Sequence, residues 1–200
     1  MAPTPPAPRT ALALVAGGVV LSGIAPADRY TWALEVAIVI AIAGLLVALR
    51  HRFRPSATLR RWLLVYAAVM LIGAHWTYGQ APPGEWAREL LGLERNHFDR
   101  LGHLFQGLVP VLAAREWLGL RARPPLLLAA GLAPLALFEL LEPAAAALAP
   151  AGIDFVQAQG DRWDTLWDSA WAGLGALGAM VAPGSPSQVH RSTSEAPSGP

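Results

Sequence analysis

The residues best equipped for chemistry stand in segments that are otherwise apolar. Asp99 and His103 are four residues apart, and Gln106 follows three later. On a helix that spacing puts all three on one face. Glu139 and Glu142 repeat the pattern in a later segment, as do Asp164 and Asp168 in the last one. His75 and Tyr78 close an earlier apolar run, and Glu35 lies near the start of another. Imidazole nitrogen with carboxylate oxygen is the donor set of a hard or borderline divalent metal such as zinc, manganese or iron. Without a metal, the same groups still exchange protons.

Apolar residues make up 54% of the 200-residue chain and charged residues 14%. A soluble domain carries about 25% charged residues, so this balance points to a membrane protein. The net charge of +1 makes the chain no polyelectrolyte binder, and nucleic acid is not an expected partner. All fifteen basic residues are arginine. Cysteine is absent, which excludes disulfides, thiolate metal sites and a thiol nucleophile. No phosphate-binding glycine loop, nucleotide fingerprint or HExxH motif is present.

Six apolar segments must position these groups: Ala11 to Ala25, Trp32 to Leu49, Trp62 to Gly79, about Leu101 to Leu118, Pro125 to Glu142, and Asp164 to Ala182. A spanning helix needs about 20 residues, which all but the first segment approach. The expected fold is all-α, a polytopic bundle of about six transmembrane helices over residues 10–182. Residues 1–9 and 183–200 read as disordered ends. The first segment is read as an uncleaved helix, with a signal peptide as its rival. Pro110 and Pro134 predict kinks. Trp32, Trp62, Trp76, Trp86, Trp117, Trp163 and Trp167 sit near helix ends, as an aromatic belt requires.

Orientation follows from arginine counts. Arg9, Arg50, Arg52, Arg54, Arg60, Arg61, Arg115, Arg121, Arg123 and Arg191 fall on one side, and Arg29, Arg88, Arg95, Arg100 and Arg162 on the other. The first side is expected to be cytoplasmic, with both termini inside, in a bacterial plasma membrane. The basic stretch from Arg50 to Arg61 is a topology signal that can also touch anionic lipids. His75, Asp99, His103, Glu139, Asp164 and Asp168 then share one depth on the outer side, with Glu35 as a weaker member. Ionisable groups inside a membrane normally face the bundle interior, so one outward-facing pocket is expected. In it these six residues would hold a divalent cation or exchange protons. Arg95 and Arg100 would attract an anionic head group, because arginine offers phosphate two parallel bonds, and Tyr78 and Gln106 would line the same site. His51 and His97 are read as solvated, and His190 as part of the tail.

The runs HWTY (His75 to Tyr78), RNHFDRLGHLFQG (Arg95 to Gly107), ARE (Ala114 to Glu116), FELLE (Phe138 to Glu142) and QGDRWDTLWD (Gln159 to Asp168) make the chain resemble the YjdF-like family of multi-pass inner-membrane proteins. The resemblance implies an integral membrane protein and supplies no activity. A more distant likeness is to VanZ-like proteins. Asp99-Arg100-Leu101-Gly102-His103 is similar to their Asp-Lys-x-x-His element, with Arg for Lys. Glu139 and Glu142 stand where an acidic Glu-x-x-Gln would be, and Asp164 and Asp168 where Asp-x-x-x-Asn would be. The departures make this pocket more acidic, which favours a cation.

Three functions fit. The first is a pocket, metal-dependent or not, acting on a lipid or cell-envelope precursor. The second is a small proton- or cation-coupled transporter, disfavoured because the inner halves of the third, fifth and sixth segments lack ionisable residues. The third is a non-catalytic role in which the polar groups are interhelical hydrogen-bond partners.

Overall fold

The computed structural model describes residues 7–118, 123–149, 159 and 161–182. The tail from 183, most of the N-terminal segment 1–9, Arg121, His190 and Arg191 lie outside the described residues. Among the described residues all regular structure is helical: α1 (Pro8–Ser22), α2 (Arg29–Ala48), α3 (Ala57–Trp76), α4 (Pro82–Leu91), α5 (Phe98–Leu118), α6 (Pro124–Leu148) and α7 (Asp164–Val181). A single 3-10 turn, Tyr78–Gln80, joins α3 to α4.

Each expected apolar segment is a helix, and α4 is an addition. Its sequence, PPGEWARELL, is too polar to register as a span. Pro82 and Pro83 open the helix, Glu85 lies in its first turn, and Gly92 closes it in the left-handed conformation (φ 64°). Trp86 and Leu90, one turn apart, are both exposed. The α6 helix also runs past its expected end at Glu142, through Pro143, to Leu148. Both Pro110 and Pro134 lie inside continuous helices.

Helices α2, α3 and α6 are long and apolar enough to cross a membrane, and α1 is apolar but shorter. The 21-residue α5 and 18-residue α7 have spanning length but carry the acids and arginines. An apolar core is present, but large apolar side chains also face outward and several charged ones are buried. Leu137, Leu140, Leu148, Leu174 and Leu177 are exposed, whereas Glu35, Asn96, Arg100, Arg115 and Asp168 are buried. Lipid solvates the leucines, and only the interior can solvate the charges.

Contacts at the helix ends set the directions. The carbonyl of Ser22 lies 2.9 Å from His75 Nδ1, joining the ends of α1 and α3. Ser56 caps α3 by accepting from Leu59 N (3.1 Å), while its own amide donates to Glu116 Oε2 (2.8 Å) at the end of α5. Phe53 stacks on Trp117 at 5.3 Å over the same junction. The guanidinium of Arg115 donates to the carbonyls of Ala179 and Ala182 at the end of α7. Thus α5 and α7 run parallel, and α3 runs against them. One end of the bundle is rich in arginine. At the other, acidic end, α3, α4 and the starts of α5 and α7 meet.

At the α5–α7 seam the two helix backbones come into direct contact. A Cβ at Gly107 would stand 1.9 Å from the Ala172 carbonyl oxygen, and one at Gly175 2.0 Å from that of Leu104. Ala172, Ala176 and Ala179 are completely or almost completely buried along it. Small residues let backbones touch where no hydrophobic effect drives helices together. Gly107→Ala and Gly175→Ala should therefore each lower the melting temperature in detergent, since overpacking costs about 1–3 kcal/mol. Gly173→Ala, whose Cβ would meet open space, should leave it unchanged or raise it. Equal behaviour of the three variants in a thermal-shift assay would contradict this account of the seam.

Candidate functional site

The start of α5 is held by one side chain. Asn96 is 1% exposed. Its Oδ1 accepts from Phe98 N (3.0 Å), and its Nδ2 donates to the Ala81 carbonyl and Glu85 Oε1, each at 3.0 Å. Its backbone carbonyl accepts from Gln159 Nε2 (3.0 Å), and its amide donates to Gln159 Oε1 (3.2 Å). This tie between α4, α5 and the approach to α7 was not legible from residue type, because an Asn before a helix reads as an ordinary cap. Glu85 also accepts from Arg88 Nε at 2.8 Å.

Two guanidiniums then meet four aspartates. Arg95 donates to Asp164 Oδ1 (2.8 Å), to Asp161 Oδ2 (3.3 Å) and to Asp99. Arg100 donates to the same Asp164 Oδ1 (2.9 Å), to Asp161 Oδ2 (3.2 Å) and to Asp168. Arg100 and Asp168 are the deepest members, with side chains 5% and 8% exposed. His103 follows one turn along α5. Its Nε2 lies 3.4 Å from Asp168 Oδ1, and its Nδ1 lies 2.8 Å from Gln106 Oε1.

Beside this network is a cavity of about 80 Å³. Its polar walls are Asp99, His103, Gln106, Asp164 and Asp168, with Glu35 from α2, Tyr78 from the 3-10 turn and Glu142 from α6. The Tyr78 hydroxyl donates to Glu35 Oε2 at 3.4 Å. Tyr78 is swung inward by Thr77, whose φ of 59° is costly for a β-branched residue. Nothing in the residue types of HWTY signals that turn.

The structure thus brings together Asp99, His103, Asp164 and Asp168, with Tyr78 and Gln106. Glu139 is within electrostatic reach of His103 and Glu142 but does not line the cavity. Glu142 takes that place, and Glu35 is a full wall member. His75 stands apart. Its ring faces the Ser22 carbonyl and the edge of Trp76, in a separate apolar cavity between α1 and α3. His75 lies in the last turn of α3, whereas Tyr78 comes after the turn at Thr77, which sends the two side chains apart. Arg95 and Arg100 point into the aspartates, so neither guanidinium is turned outward towards a head group. Asp161, outside the expected set, serves both arginines.

One oxygen from each of Asp99, Asp164 and Asp168 can lie within 4.8 Å of the others, a spacing that suits a shared cation. Those same carboxylates accept from arginine, so a cation there competes with two guanidiniums. Glu35 and Glu142 face the cavity with no arginine partner among the described residues.

Breaking a buried ion pair on one side costs about 3–5 kcal/mol because the other charge is stranded. Arg100→Leu should therefore destabilise the protein by that order. Arg100→Leu/Asp168→Leu should recover part of the loss, measured as the unfolding midpoint in detergent. Recovery stays partial because Asp161 and Asp164 also use Arg100. At the surface, Arg88 and then Asn96 hold the Glu85 carboxyl below its ordinary value. A depressed carboxyl stabilises the fold above its unfolded pKa, and that contribution is lost as pH falls through the folded value. The stability advantage of the parent over Glu85→Gln should be complete at neutral pH and shrink below about pH 4; an advantage independent of pH would contradict it.

A family described as "Predicted membrane protein (DUF2238)" matches residues 7–184. The inner membrane protein YjdF of Escherichia coli (strain K12) is similar to this chain, 39% identical over 170 residues that cover 81% of each protein. No solved structure matches. The likeness to VanZ-like proteins is not carried by these matches. With every described residue inside the family match, the chain belongs to the DUF2238 family of predicted membrane proteins.

Proposed function

We propose that the cavity is a cation-binding acid–base site of a bacterial inner-membrane protein. In this reading it opens to the cell exterior and acts on a lipid or cell-envelope precursor. One observation carries it. The cavity wall and its ion network hold six carboxylates, Glu35, Asp99, Glu142, Asp161, Asp164 and Asp168, against two guanidiniums. Inside a membrane such a surplus of negative charge must be offset, and a proton on each of Glu35 and Glu142, or a divalent cation held by both, offsets the two carboxylates that lack an arginine among the described residues. A cavity of about 80 Å³ admits a few waters, a cation or the reacting end of a substrate, and excludes a whole lipid. His103 is the group placed to pass a proton, with Gln106 fixing its ring. Arg95 and Arg100 act here by holding the aspartates in position. A divalent cation, if held by Glu35 and Glu142, would supply Lewis-acid activation of water for a hydrolysis.

A small proton- or cation-coupled transporter is the second reading. It is favoured by a single feature: Tyr66 and Met70 wall both this cavity and a larger one towards the arginine-rich end. In either reading the arginine-rich end is cytoplasmic by arginine bias.

The test is metal titration of the detergent-purified parent and of Glu35→Gln/Glu142→Gln, with manganese and with zinc. Calorimetry in two buffers of different ionisation enthalpy counts the protons released. The parent should bind near one equivalent and release protons, and the folded variant should lose both. A parent that binds neither metal after reloading excludes the cation. If the variant also leaves proton flux in liposomes unaltered, the acid–base reading fails with it.

A further inference from the structure

The larger cavity lies between α1, α2 and α3, with a volume of about 570 Å³. That size is within the roughly 300–1,000 Å³ of small-molecule sites. Its walls differ sharply from those of the acidic cavity. Leu12 and Val15 of α1, Ile42 and Leu46 of α2, and Leu63 and Ala67 of α3 make an apolar trough. Its mouth carries Arg9, Arg50, His51, Arg54 and Arg60, and no acidic residue lines it among the described residues. Arg60 gives a second, independent sign. One of its terminal nitrogens donates to the Pro55 carbonyl (2.7 Å), yet its Nε is buried with no hydrogen-bond partner among the described residues. A buried donor left unmade is costly, and more so when charged.

We infer that this cavity is a binding site for an anionic phospholipid, with an acyl chain in the trough between α1, α2 and α3 and the head-group phosphate on Arg54 and Arg60. Charge complementarity selects the occupant. A cluster of arginines at the mouth of an apolar slot matches a phosphate that continues into a hydrocarbon chain. Arginine is suited to this because its planar fork binds two phosphate oxygens at once. A solvent-filled vestibule would leave the trough apolar and wet, and would leave Arg60 Nε without a partner of matching charge. The site is independent of the acid–base reading, since it shares with that cavity only the wall of Tyr66 and Met70.

The experiment is native mass spectrometry of the full chain after incubation with equal amounts of phosphatidylglycerol and phosphatidylcholine. The parent should retain phosphatidylglycerol over phosphatidylcholine by about tenfold, the scale set by one or two arginine contacts. Arg54→Gln/Arg60→Gln should bring the two lipids near parity. Arg52→Gln, in the same basic stretch but outside the cavity lining, should keep the preference. Ala43→Trp fills the trough from α2 and should remove the adduct of either lipid. It also carries the test if the double arginine variant fails to elute as a folded peak. Equal retention of both lipids by the parent, no retention of either, or an Arg52→Gln loss as large as that of Arg54→Gln/Arg60→Gln would overturn the inference.

Discussion

The whole architecture depends on where one guanidinium goes. Arg100 lies on a helix inside an apolar bundle, where an unpaired charge costs several kcal/mol. It is accommodated because α7 presents Asp164 and Asp168 one turn apart, with Asp161 just before them. That match sets both the register and the parallel direction of α5 and α7. Arg95 pairs with Asp161 and Asp164 from just before α5, so sliding α7 by one turn would strand charges on both sides of the seam. At the far end Arg115 fixes the seam again, by donating to carbonyls that the end of α7 cannot satisfy internally. The glycines between these anchors permit the backbone contact that the ion pairs require.

This pairing reassigns the charged groups. Arginines that look free to catch a phosphate are instead used to neutralise aspartates. The cavity carboxylates left without an arginine among the described residues are then those contributed from outside the α5–α7 pair, Glu35 and Glu142. A site on this scaffold is therefore divided between a rigid, compensated half and an uncompensated half, and the uncompensated half is where a proton or cation has reason to bind.

The two ends of the bundle are opposite in character. The acidic end carries a small, polar cavity closed over by Tyr78 and braced by Asn96. The arginine-rich end carries a larger apolar cavity with a cationic mouth. Tyr66 and Met70 separate them. Neither cavity belongs to a single helix, so each depends on the packing of at least three.

Residue order alone determined that the chain is helical and membrane-embedded. Long apolar runs with few charges have one stable solution in lipid, since every backbone group must be satisfied within its own helix. It also determined that Asp99, His103 and Gln106 share a face, and that Asp164 and Asp168 do, because these are intervals of one helical turn. The short helix Pro82–Leu91 escaped it, since an amphipathic ten-residue stretch has neither the length nor the hydropathy of a span. Rotation about each helix axis was likewise decided by tertiary packing. His75 and Tyr78 are three residues apart, yet Thr77 turns the chain so that Tyr78 enters the cavity and His75 faces α1. Which carboxylate meets which arginine was also settled only in three dimensions. Spacing along a helix places groups at a common depth, but only the facing helices decide which charges are close enough to cancel.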